Sequence, residues 1–128
     1  MGMNVSQEEL ARWEREGLLQ PKTLNKAIDA LEPSRLMPEK EWMWKCIHYA
    51  EANGWKHYHT LNSVGSEAGF PDSVFVGPRI VYVEWKSEKG KLTAAQEKWL
   101  EAIRKAGGEA YCFRPSDWPE VQRILRQS

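Results

Sequence analysis

Apolar residues recur at helical spacing through Trp42, Met43, Cys46, Ile47 and Ala50. Pro38 is a good first helical residue and Gly54 a good stop, so the pattern predicts a helix between them. Residues 55–61 then alternate well enough to be a strand, and 62–69 are loop chemistry. Two short β-branched runs, 73–76 and 80–86, flank Gly77-Pro78-Arg79 and read as a hairpin with a three-residue loop. Thr93 and Gln96 form a capping box for a helix carrying Ala95, Trp99, Ile103 and Ala106, which stops at Gly107-Gly108. Residues 109–113 make a last strand, and Asp117 before Trp118-Pro119 opens a terminal helix to about Arg126. The order helix, three strands, helix, strand, helix predicts a mixed α/β layer sandwich.

Ahead of this core, residues 1–36 read as a short helical extension. Ser6 with Glu9 caps a stretch around Leu10, Trp13 and Leu18, which Gly17 and Pro21 interrupt. A second short helix is expected from Leu24 to Leu31, where Pro33 stops it. The main domain is then 37–128.

Composition narrows the function. A chain of 128 residues suits one domain, and 41% hydrophobic content excludes a disordered chain. No apolar run approaches the roughly 18 residues of a membrane span, and no apolar segment at the start reads as a secretory signal. A cytoplasmic protein without membrane association is expected. Cys46 and Cys112 lie far apart in apolar stretches and read as reduced thiols. Eighteen basic against eighteen acidic residues exclude a binder that relies on bulk positive charge. They leave room for a small, concentrated site.

The hairpin supplies that site. If Val76 pairs with Ile80, Asp72 stands opposite Glu84, with Cβ atoms about 4.5–5.5 Å apart on one face. Two carboxylates so placed repel unless a cation lies between them. Lys86, two residues beyond Glu84, shares their face, whereas Trp85 points to the other with Val81 and Val83. Oxygen ligands suit a hard divalent ion, Mg²⁺ above all; a solvated hairpin face would carry the same Glu-x-Lys string. On a helical wheel Glu39 falls within the apolar stripe of Trp42, Met43, Cys46 and Ala50, while Glu41 faces solvent. Glu39 is thus expected to turn toward the sheet and the cation, or else to complement the helix dipole. Gln96 lies on a core-facing stripe too, where its capping box alone could account for it.

These residues resemble the VRR-NUC family of the PD-(D/E)XK nuclease superfamily. The likeness is carried by Gly69-Phe70-Pro71-Asp72, Glu84-Trp85-Lys86, and Gly90-Lys91-Leu92-Thr93 with Gln96 and Trp99. Gly54-Trp55, Tyr58-His59-Thr60 and the segment from Phe113 to Trp118 resemble the small stand-alone phage and bacterial members. The resemblance implies a restriction-endonuclease-like αβββαβα core around a mixed four-stranded sheet. It implies a Mg²⁺-dependent deoxyribonuclease in which Mn²⁺ substitutes, with no small-molecule cofactor. It also implies a homodimer acting on branched DNA such as four-way junctions. Asp72, Glu84 and the backbone carbonyl of Trp85 match the metal site, Lys86 the motif lysine, Glu39 a second-ion or water-mediated ligand, and Gln96 the helix glutamine. Trp85 is bulky for the centre of Glu-x-Lys, Ser73 replaces an apolar residue, and the 62–67 loop lacks basic residues. A non-cleaving binding module and a nickase or exonuclease subunit of a larger complex are the alternatives.

Other candidates are weaker on the residues. His48, His57 and His59 have no further ligand at zinc spacing, although His59 precedes the site loop and is a candidate substrate contact. Ser63 and Ser66 could contact phosphate, as could Arg79, Lys89 and Lys91 beside the hairpin.

Overall fold

A computed structural model describes residues 7–8, 32–60 and 67–126. The two capping and helix expectations for the extension, Trp13, and the loop serines Ser63 and Ser66 lie outside the described residues. The elements are α1 (Glu39–Ala52), β1 (Lys56–His59), β2 (Ser73–Val76), β3 (Ile80–Trp85), α2 (Ala94–Lys105), β4 (Glu109–Phe113), a 3₁₀ turn (Pro115–Asp117) and α3 (Trp118–Leu125). The sheet order is β1-β2-β3-β4, with the first two pairings antiparallel and β3–β4 parallel. The expected mixed α/β fold with a mixed four-stranded sheet is what the chain adopts, as a small single domain.

Period-2 alternation divides the sheet into two faces. Phe75, Val81, Val83, Trp85 and Phe113 face α1 and α3, and with Trp42, Cys46, Ile47, Trp118, Val121 and Leu125 they build the core. Trp42 packs edge-on against both Trp85 and Trp118, with ring centroids 6.0 and 6.1 Å away. Its buried indole N–H, which must find an acceptor, donates to the Phe113 carbonyl at 2.9 Å. The opposite face is covered by α2. Phe70 bridges Tyr82 of β3 and Trp99 of α2, and the Trp99 indole donates to Ala68 O at 3.2 Å. Gly69 makes that approach possible: its φ is +93°, and a Cβ there would lie 2.5 Å from the Ala95 carbonyl carbon.

Two helix starts differ from expectation. Pro38 occupies the position before α1, with ψ 149°, not the first helical position. Asp117 does not cap α3; its side chain accepts the Arg114 N–H at 2.8 Å and closes the 3₁₀ turn, after which Trp118-Pro119 starts the helix. The Thr93–Gln96 capping box is formed as expected, with Gln96 Oε1 accepting from Thr93 N at 2.9 Å and Thr93 Oγ1 from Gln96 N at 3.1 Å.

A candidate metal centre at the end of the hairpin

The β2–β3 register pairs Val76 with Ile80 and Ser73 with Val83, so the next pair outward is Asp72 with Glu84. The carboxylates meet on the face away from α1. Glu84 is only 2% exposed, and its pKa is raised to about 9 by burial, then by the hydrogen bond and charge of Asp72 beside it. Lys86 acts in the opposite sense, and the charge of Glu39 adds a further upward push. Glu84 Oε1 is buried without a hydrogen-bond partner. Such an acceptor is destabilising when left unmet, and a cation would meet it.

The local sequence explains the geometry. Pro71 is opposite Trp85 one pair further on, and it brings no N–H. The Trp85 carbonyl therefore has no ladder donor from β2, while the Trp85 N–H turns to Asp72 Oδ2 at 3.2 Å. Trp85 and Ser73, each unusual against the family pattern, satisfy one another: the indole N–H donates to Ser73 Oγ at 2.8 Å. His57 Nε2 completes the group at 2.7 Å from the same oxygen. Both departures are thus one buried polar unit on the core face, directly beneath the acidic pair.

Glu39 is not turned into the core. It is exposed; the first buried side chain of α1 is Trp42, one turn later, and helical side chains lean toward the N-terminus. α1 also packs on the sheet face opposite the carboxylates, so Glu39 approaches from the end of the sheet and acts on Glu84 through its charge. Among the described residues, no three His, Cys, Asp or Glu side chains are grouped closely enough to hold an ion. Two carboxylates and a free carbonyl still fit Mg²⁺, which is commonly held by one or two carboxylates while keeping several waters.

The other candidates separate clearly. Lys86 is half-buried, and a Cβ on Gly90 would lie 3.5 Å from its Cδ, so its stem runs beside the turn after β3. Lys89 and Lys91 are exposed on that turn. Arg114, which sequence reasoning missed, fastens the turn by donating to Gly90 O at 2.7 Å. Its position at the end of β4, parallel to β3, was the available signal. Arg79 lies in the loop at the other end of the hairpin, five residues before Glu84, or about 16 Å at roughly 3.3 Å per residue of extended chain. There it is ion-paired with Glu109, donates to Ile124 O at 3.0 Å and covers Trp55. His59 is opposite Ser73, not Asp72, which puts it on the other sheet face, against Trp44 and His57. Gln96 spends its carbonyl oxygen on the cap of α2.

The chain thus folds as αβββαβα and carries an acidic pair and a lysine at the outer end of its hairpin. The VRR-NUC domain family matches residues 6–116, and the chain belongs to that family. No curated protein and no solved structure gives a significant match.

Proposed function

We propose that this nuclease-family domain is a divalent-cation-dependent DNA endonuclease, with Mg²⁺ as its ion and Mn²⁺ able to replace it. The observation that carries the reading is the buried, unpartnered Glu84 Oε1 beside Asp72. Asp72, Glu84 and the Trp85 carbonyl would hold the cation, with Glu39 contributing charge or a water-mediated contact from the end of the sheet. Bound there, the ion would polarise the scissile phosphate and make an attacking water more acidic. Lys86, on the same face, orients that water and offsets negative charge gathering at phosphorus. Exposed Lys89 and Lys91 meet the DNA backbone on a turn that Arg114 holds in place. Gln96 has a positioning part: its cap fixes the start of α2, and with it the end of the same turn.

We extend the proposal to branched DNA, to a homodimer, and to the cytoplasm of a bacterial or phage-infected cell. No described helix is long and apolar enough to cross a membrane. The test is cleavage of labelled linear duplex, single strand, flap and four-way junction with Mg²⁺, Mn²⁺ or EDTA. Cutting with either metal and none in EDTA is expected, with a symmetric pair of nicks at the junction. No metal-dependent cut on any of the four would favour a non-cleaving binding module.

A further inference from the structure

Thr60 follows β1, and its N–H donates to Asp72 O at 2.8 Å. The β1–β2 register, which pairs His59 with Ser73, therefore continues for one more pair. Because Glu84 pairs with Cys112 in β4, Thr60, Asp72, Glu84 and Cys112 form one row across the sheet. The row lies on the face that carries the acidic pair. Among the described residues, two buried side-chain oxygens have no hydrogen-bond partner, Thr60 Oγ1 and Glu84 Oε1. Both belong to this row, on either side of Asp72. Asp72 Oδ2 accepts the Trp85 N–H, and the Asp72 carboxyl acts on Glu84 on its other side. A buried hydroxyl left unmet in this way destabilises the fold, and its position beside the two carboxylates suggests what meets it.

We infer that Thr60 is a positioning residue of the cation site, its hydroxyl accepting a hydrogen bond from the hydration shell of a divalent ion held at Asp72 and Glu84. The inference rests on the proposal that this pair binds a cation. Mg²⁺ and similar ions retain several waters in protein sites, and a side chain that bonds to such waters helps fix the ion in place. A hydroxyl at this position can do so, and a serine would keep that ability. Valine fills the same volume without it.

The experiment is titration of the full chain with Mn²⁺ by calorimetry, together with thermal unfolding in EDTA, for wild type, Thr60→Val, Thr60→Ser and Asp72→Asn. Thr60→Val is expected to leave the unfolding temperature in EDTA unchanged or higher, because it removes an unpaired buried hydroxyl. It should weaken Mn²⁺ binding about 10- to 100-fold, and Thr60→Ser should restore most of that loss. Unchanged Mn²⁺ affinity in Thr60→Val would overturn the inference. So would a lower unfolding temperature in EDTA, which would mean that the hydroxyl is already bonded in the metal-free fold. If wild type binds no Mn²⁺, or Asp72→Asn binds it equally well, the cation site itself fails. Wild-type binding that is lost in Asp72→Asn but kept in Thr60→Val overturns the Thr60 assignment alone.

Discussion

Glu84→Gln is expected to fold normally and to lose DNA cleavage by at least about 10²- to 10³-fold, on the scale of deleting one preorganised electrostatic partner from an active site. The reason lies in its burial. At neutral pH the Glu84 carboxyl is held neutral by burial and by Asp72 beside it, so an isosteric amide should leave the unfolding temperature in EDTA nearly unchanged. The amide cannot supply the anionic oxygen that a cation requires. Added Mg²⁺ or Mn²⁺ should therefore raise the unfolding temperature of wild type but not of the variant. Lys86→Ala is expected to lose cleavage to a similar degree while still showing the cation-induced stabilisation, because Lys86 acts on substrate and water. Single-turnover cleavage and thermal melts with and without metal check both variants. Full activity in either one contradicts the assignment.

The second large effect is on pH. In the unfolded chain Glu84 releases its proton near its ordinary value of 4.5, whereas in the metal-free fold it holds the proton to about 9. Between those values the folded state carries a proton that the unfolded state has lost. Its contribution to stability is therefore complete below about pH 4.5, declines through the window and is gone above about 9. A cation must displace that proton, so its affinity should rise roughly tenfold per pH unit toward pH 9 and then level off. Unfolding temperatures in EDTA and Mn²⁺ titrations across pH 6–10 measure the two trends. The stability trend should flatten in Glu84→Gln, and Mn²⁺ binding should be lost at every pH. A wild-type affinity independent of pH would mean that no proton leaves on binding.

Much of this arrangement was legible in the residues because local rules set it. The three-residue hairpin loop fixes the β2–β3 register, and the register puts Asp72 opposite Glu84. The Thr93–Gln96 box and the two glycines after Lys105 place both ends of α2. What stayed hidden depends on contacts between distant segments. A helical wheel gives the direction of Glu39 but not where the core stops, so its exposure could not be read. Arg79 adjoins the hairpin in sequence, yet the loop is the far end of that hairpin. His59 and Thr60 are neighbours whose roles are exchanged by a single step of β1–β2 register, and no turn signal sets that step across the intervening loop. Ser73 and Trp85 looked like separate departures because their hydrogen bond spans two strands.

On the proposed function, Asp72 and Glu84 hold a divalent cation at the end of the hairpin. Crystals of the full chain grown with Mn²⁺, with anomalous diffraction recorded at the manganese edge, test it most directly. One strong peak is expected between the two carboxylates, within about 2.0–2.6 Å of an oxygen from each, and it should be lost in Asp72→Asn. No peak at the pair, in protein that cleaves DNA with Mn²⁺ under the same conditions, would contradict this assignment.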